Sequence, residues 1–302
     1  MRRLLAILGP TASGKSDLAL GLAEHLEAEI LSVDSMQVYR GMDIGTAKAT
    51  TEERRRVPHH MVDVADPEMA YTVANFQAAG RRVIEELAER PMVIVGGSGL
   101  HFRAIVDPMT FPPHDSELRR ELEALSPGEL RSRLVAADPE AGRHVDLANH
   151  RRVLRAVEVW TLAGETPSGR ASRPEAEDLR AYRAVLPFRA VGLDPGALLA
   201  ARVERRLSTM RTAGLLEEVG HLANRLGPTA SQAVGYKQLV PVVQGRETEE
   251  EGWEAARRAT LALAKRQRTF FRRDPRIRWV SSASGDLLAD VRQALEEPAW
   301  SS

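Results

Sequence analysis

Cysteine is absent from the 302 residues, which excludes a disulfide scaffold, a zinc–cysteine site and a thiol nucleophile. Long apolar runs are absent too. The longest, such as Leu4–Leu8 and Met92–Val95, fall far short of the ~20 residues that cross a membrane as a helix. There is no net charge, with 42 Lys+Arg against 42 Asp+Glu, so any nucleic-acid partner must be met by a local basic surface. Low-complexity tracts and internal repeats are likewise missing. What is present, 43% hydrophobic and 28% charged residues, is ordinary for a globular chain and argues against a disordered or fibrous one. The length suits one large α/β domain, or such a domain carrying a smaller one. The opening MRRLLAILGP places two Arg before an apolar run, as a signal peptide does. That run leads directly into a glycine-rich loop that cleavage would destroy, so a cytoplasmic protein is expected.

Strand and helix patterns alternate through the first hundred or so residues. Leu4–Leu8 reads as a buried strand ended by Gly9-Pro10, Asp17–Glu27 as a helix, and Ile30–Val33 as a strand ended by Asp34-Ser35. Thr72–Glu89 then reads as a helix, and Pro91–Val95 as a strand broken by Gly96-Gly97. Such alternation implies an α/β fold: a parallel sheet with helices on both faces. From about Pro112 to Tyr182 only helices are expected, at Ser116–Leu125, Gly128–Ala137 and His150–Ala163, with a loop at Gly164–Pro174. The expected organisation is a core of residues 1–112 and 183–302 with a helical insertion domain at 113–182. Ala184–Leu193 returns to the core sheet, Pro195–Leu226 and Glu247–Arg273 are helical, and Ile277–Val280 is a last strand. The tail after Ser281 is given no element.

Gly9-Pro10-Thr11-Ala12-Ser13-Gly14-Lys15-Ser16 fits G-x-x-x-x-G-K-[ST] between a strand and a helix, the context that confirms a P-loop and makes the expected core P-loop NTPase-like. The glycines let successive N–H groups turn toward phosphate oxygens, Lys15 adds a charge, and the Ser16 hydroxyl can ligate magnesium. The loop specifies a phosphate or diphosphate and does not by itself specify ATP. A P-loop NTPase also carries an acidic residue at the end of a later apolar strand. Here Met92–Val95 ends in Gly-Gly-Ser-Gly, and the carboxylate comes earlier, at Asp34. From the residues alone, Asp34 is equally a general base for an incoming nucleophile, a turn former or a metal ligand.

The segment Ser32–Lys48, SVDSMQVYRGMDIGTAK, closely resembles the tRNA dimethylallyltransferases (tRNA isopentenylpyrophosphate transferases). The likeness covers nearly the whole chain: GPTASGKS at Gly9–Ser16, VPHHMVDV at Val57–Val64 and VGGSGLHFRAI at Val95–Ile105. It continues in NHRRVLRAVEV at Asn149–Val159, QAVGYKQ at Gln232–Gln238 and LAKRQRTFFRR at Leu263–Arg273. The resemblance implies transfer of the dimethylallyl group of dimethylallyl diphosphate to the N6 amine of the adenosine 3′-adjacent to the anticodon, with release of diphosphate. It implies a P-loop that holds the prenyl diphosphate, with Mg2+ on that diphosphate. Asp34 matches the family's general base, which suits a poorly nucleophilic adenine amine. Thr11, Lys15 and Ser16 match its phosphate and metal contacts, and Arg103 matches a basic position that neutralises charge on the leaving diphosphate. Without the family, Arg103 reads as a surface helix arginine.

An adenosine stacked in an anticodon loop has to be flipped out to react. Between Arg257 and Arg278 nine basic residues face one acidic residue, Asp274. Lys265, Arg268 and Arg272 share a helix face there, with Phe270 and Phe271 alongside; a solvated helix with an aromatic core stripe fits the same pattern. Arg151, Arg152, Val153, Leu154 and Arg155 match a family segment that contacts tRNA. Asp34, Ser35, Met36 and Gln37 match another, and Gln232, Ala233, Val234, Gly235, Tyr236 and Lys237 a third. Ser98 and Arg119 match single contact positions. His101 stands where the family usually has Tyr, and Gln232 where Arg is common. A metabolite kinase, an adenylate isopentenyltransferase acting on a free nucleotide, and an RNA-binding protein with a vestigial P-loop are the competing readings. The expected partners are a tRNA anticodon stem-loop and dimethylallyl diphosphate, with no membrane, and the expected state is a monomer.

Overall fold

Leu4–Leu8 (β1) is almost wholly buried, as a strand must be when helices cover both faces of its sheet. The structure, a computed structural model, describes residues 4–296. After β1 come Lys15–His25 (α1), Glu29–Ser32 (β2), Thr51–Arg56 (α2), His59–His60 (β3), Val73–Glu86 (α3), Met92–Gly96 (β4) and Gly99–Val106 (α4). Then follow Ser116–Glu123 (α5), Pro127–Ala137 (α6), His150–Ala163 (α7), Pro167–Ala171 (α8) and Pro174–Arg180 (α9). Arg189–Asp194 (β5) leads to Leu199–Thr212 (α10), Leu215–Leu222 (α11), Tyr236–Val243 (α12), Glu249–Phe271 (α13), Ile277–Ser281 (β6) and Leu287–Glu296 (α14). Of the described residues, those up to Val106 and from Leu186 onward form one compact unit, and Asp107–Val185 form a second.

The first unit is a six-stranded parallel sheet in the order β3-β2-β4-β1-β5-β6. Alternation along each strand splits its side chains between two cores. Leu4, Ala6 and Leu8 of β1 and Met92 and Ile94 of β4 pack into one, with Phe76, Phe102, Tyr236 and Phe271. Ile7, Val93, Val95, Val191 and Leu193 pack on the other face against Leu18, Ala19 and Leu22 of α1. β1 lies between β4 and β5, so chain order reverses around it, and ligands of open α/β sheets bind beyond the strand ends at such a point. The loops after β1, β2 and β4 leave the sheet at that edge. The second unit is helical, with Leu122, Leu130, Leu134, Val153, Leu154 and Val157 as its core.

Several elements differ from the sequence reading. The expected loop at Gly164–Pro174 contains α8, because Thr166 accepts the Gly169 N–H and Pro167 sits at the first helical position. Pro174 opens α9 in the same way. The stretch expected to be helical at Pro195–Leu226 is divided at Gly214, whose φ of 94° separates α10 from α11. The unassigned tail forms α14, which buries Val291 and Leu295 against the α1 side of the sheet. β3 has only two residues at the sheet edge, too short to leave a periodic signal.

Candidate active site

The phosphate loop follows β1 and enters α1 through Gly14 in the left-handed region (φ 86°), where L side chains are disfavoured. No side chain caps α1, so its first amides and partial positive charge face outward as an anion site. Arg202 of α10 braces the loop, donating to the Ser13 carbonyl at 2.9 Å and to the Ser282 hydroxyl at 2.7 Å. Thr11 donates its backbone N–H to Gln267 Oε1 of α13 at 2.8 Å.

Beside the loop lies a cavity of about 310 Å³ lined by Thr11, Lys15, Ser16, Asp34, Gln37, Ser98, Arg206 and Gln267. Apolar side chains line it as well, among them Val95, Leu207, Met210, Leu215, Ala233, Leu263 and Phe270, and so does Arg266. A pocket lined by both charged and apolar side chains suits a small phosphorylated ligand with a hydrocarbon part. Burial is the main influence on Lys15 and draws its ammonium down to about 8; Arg206 pushes the same way and Asp34 opposes both. The Arg206 guanidinium is lowered by burial and supported by Asp34. Neither cation makes a salt bridge among the described residues. Lys15 Nζ donates only to the Pro10 carbonyl, at 3.2 Å. Two half-buried cations facing one carboxylate leave a net positive site ready for an anion.

Asp34 is held in a fixed pose. Its Oδ1 accepts the N–H groups of Met36 at 2.8 Å and Gln37 at 3.3 Å, while Oδ2 has no hydrogen bond among the described residues. Gln37 in turn accepts from Ser32 and donates to the Thr46 and Ala47 carbonyls, tying the Asp34 turn to the next loop. That loop is pinned by Glu218, whose carboxylate accepts the N–H groups of Asp43, Ile44 and Gly45 at 3.0, 2.8 and 3.1 Å and the Tyr236 hydroxyl. Gly45 is required there, because a Cβ would lie 2.4 Å from the Tyr236 ring.

The sequence-predicted residues divide into groups. Thr11, Lys15, Ser16, Asp34, Ser35, Met36, Gln37, Ser98, Ala233, Val234 and Gly235 all line the cavity. Arg103 does not: α4 starts at the cavity with Gly99 and carries position 103 a turn away, half-buried and with contacts of its own. The cavity cations that sequence reasoning did not place there are Arg206 and Arg266; the signal for Arg206 is its spacing from Arg202, four residues apart on one helix face. His101 donates or accepts at Ser98 Oγ, 2.7 Å away, and packs edge-on against Phe76; burial lowers its pKa, so it is a neutral support for Ser98. Tyr236 is buried, so its side chain reaches no RNA, whereas Gln232 and Lys237 are exposed and bonded to each other. On α13, Lys265 and Arg266 are exposed, but Arg268 and Arg272 both pair with Asp194 at the end of β5. Phe271 is core, and Phe270 packs on Gly99 at the cavity. In the second unit Arg151 and Arg152 are exposed, while Val153 and Leu154 are buried and their side chains are unavailable to RNA. Arg119 and Arg155 pair with buried Glu158.

A phosphate loop at the reversal point of a parallel sheet, opening on a cavity lined by charged and apolar side chains, defines a P-loop α/β protein. The chain belongs to the IPP transferase family, whose profile matches residues 37–274, and it is a transferase. It is 45% identical over 295 residues to a tRNA dimethylallyltransferase of Streptomyces avermitilis, covering 94% of this chain and 92% of that one. A tRNA dimethylallyltransferase of Streptomyces coelicolor is 43% identical over 303 residues, covering 97% and 95%. Among solved structures, the tRNA isopentenylpyrophosphate transferase of Bacillus halodurans matches with a TM-score of 0.69 at 34% identity, over 98% of this chain and 97% of that one. A eukaryotic dimethylallyltransferase acting on tRNA shares the fold, with a TM-score of 0.78 at 24% identity over 97% and 78%. No helix among the described residues is long and apolar enough to cross a membrane.

Proposed function

We propose that this protein transfers the dimethylallyl group of dimethylallyl diphosphate to the N6 amine of the adenosine 3′-adjacent to the anticodon in tRNA. The observation that carries this reading is the meeting of Lys15, Arg206 and Asp34 in one cavity that apolar side chains also line. The diphosphate lies in the loop against Lys15 and Arg206, and the five-carbon chain lies along Leu207, Met210 and Leu215. As the C–N bond forms, the C–O bond to the diphosphate breaks. Lys15 and Arg206 receive the negative charge that collects on the leaving group. The amine proton passes to Asp34 Oδ2, the oxygen left open by the turn that occupies Oδ1.

Mg2+ fits the donor set in a limited way. Ser16 offers one hydroxyl at the cavity, and no cluster of three His, Asp or Glu exists among the described residues. Magnesium readily takes most of its ligands from phosphate and water, so a Mg2+–diphosphate held partly by Ser16 suits these residues. Bound there, it would supply charge neutralisation. Exposed Arg151, Arg152, Lys265 and Arg266 favour tRNA over a free nucleotide as acceptor. A cytoplasmic monomer goes with this reading.

The test is a transfer assay with labelled dimethylallyl diphosphate and either an anticodon stem-loop or AMP. Label should enter the stem-loop alone. Label entering only AMP would assign the protein to free-nucleotide prenylation, and transfer of the ATP γ-phosphoryl group to a small acceptor without prenyl transfer would make it a kinase.

A further inference from the structure

Pro10 has no N–H, so Thr11 supplies the first amide of the phosphate loop after Gly9, and that amide is already taken. Gln267 Oε1 accepts it at 2.8 Å, from a helix 256 residues later in the chain. Gln267 is seated because Gly97 has no side chain: a Cβ there would lie 2.5 Å from Gln267 Nε2 and 3.4 Å from the Gly9 carbonyl oxygen. Gly96-Gly97 ends β4, the strand hydrogen-bonded to β1. P-loop NTPases place an acidic residue at the end of a strand near the loop to hold the metal of a triphosphate. Here β4 ends in bare backbone and a neutral amide from α13 fills the space, while Asp194, which ends β5 on the other side of β1, is paired with Arg268 and Arg272.

We propose that Gln267 seals the Thr11 end of the phosphate loop, so that the loop accepts a diphosphate and rejects a triphosphate chain. The inference rests on the reading of the loop as a diphosphate site. The uncapped first turn of α1 with Lys15 and Ser16 remains open to phosphoryl oxygens. A further phosphoryl group extending toward Thr11 would set its oxygens against Oε1, acceptor against acceptor, or displace the amide and forfeit its hydrogen bond. Charge alone predicts the opposite preference, because Lys15 and Arg206 attract the more highly charged ion. A preference for the shorter chain therefore reports the seal.

The experiment titrates inorganic pyrophosphate and inorganic tripolyphosphate, each with Mg2+, into the full-length protein by calorimetry. Wild type should bind pyrophosphate at least about tenfold more tightly than tripolyphosphate, a difference of ~1.4 kcal/mol. Gln267→Ala should bring the two within about threefold, chiefly by gaining tripolyphosphate. Gln267→Leu, which keeps bulk but removes the acceptor, should fall between them; it also serves if the alanine variant does not fold. Equal wild-type affinities, or an unchanged ratio in folded variants, overturn the seal alone. A wild-type protein that binds neither ion overturns the diphosphate reading and the seal with it.

Discussion

In the second unit, Glu158 has no exposed side-chain surface, and Arg155, Arg119 and His114 converge on its carboxylate. Burial pushes its pKa up, but the bonds from Arg155 and His114 outweigh that and hold it below the usual carboxylate range. Around the cavity the balance is reversed. Arg206 and Lys15 face a single carboxylate, Asp34, and none of the three is joined to another by a salt bridge among the described residues. Arginine fixes structure where a buried carboxylate consumes its donors, and it waits for a ligand where its donors are left over. The residue type is the same, and only the partner distinguishes the two roles.

Asp34→Ala gives the largest effect expected from that contrast. Turnover should fall by about 10³-fold, the scale of a lost general base. Pyrophosphate should bind as tightly as before or more so, since the change removes negative charge beside Lys15 and Arg206. Single-turnover kinetics with calorimetry separates the two quantities; weakened pyrophosphate binding with turnover kept would refute the base assignment. Glu158→Ala probes the other side. It leaves two guanidinium groups without their buried partner and should destabilise the second unit by ~3–5 kcal/mol. Hydrogen exchange of α5–α7 should show the loss while pyrophosphate affinity stays unchanged. Unaltered protection of those helices would mean the cluster is not what holds them.

How far the sequence could reveal this contrast depends on whether a role is local. The phosphate loop, Asp34 and the glycines after β4 follow strand ends, so strand patterning placed them on one edge. Asp34–Gln37, Ser98 and Ala233–Gly235 came from family likeness, and all of these line the cavity. Arg206 was hidden because its place at the cavity arises only when α10 packs beside the loop; nothing within α10 marks it except Arg202 one turn earlier. Arg268 and Arg272 carry a partner that the sequence does not show. Their helix face looks open until β5 brings Asp194 under it, and Arg272 also lies over Trp279 at 5.0 Å. Val153 and Leu154 belong to a basic motif but obey helix periodicity, which turns them into the core. α14 was missed because its two fully buried residues are spread over a short helix that only docking stabilises.

A smaller and pH-dependent effect sharpens the cavity side. With its pKa brought down to about 8, free-enzyme Lys15 is charged below that value and neutral above it. Pyrophosphate affinity should therefore decline as pH rises from about 7 to about 9, and Lys15→Met should be weaker throughout and flatter across that range. For folding the sign is the opposite. The unfolded lysine keeps its proton to about 10.5, so the unliganded protein gains stability as pH rises through 8 toward 10.5. Equal pH slopes for wild type and Lys15→Met would show that Lys15 does not titrate there.

The smallest effect lies within a single helix. Arg151, Arg152 and Arg155 come from one five-residue run, yet Arg151 and Arg152 are exposed with no ion pair among the described residues. Arg155 instead donates to Glu158 at 2.8 Å and to the Pro112 and Pro113 carbonyls at 2.8 and 2.9 Å. If exposure marks an RNA contact, Arg151→Ala and Arg152→Ala should each lower the salt slope of anticodon stem-loop binding by about one, with thermal unfolding unchanged. Arg155→Ala should lower the unfolding temperature and leave the slope alone, because its guanidinium is held by protein acceptors and releases no counterions on RNA binding. A reversed result, with the slope falling only for Arg155→Ala, would mean that the Glu158 cluster opens to meet the RNA. Pairing in the unbound protein would then no longer separate structural arginines from functional ones.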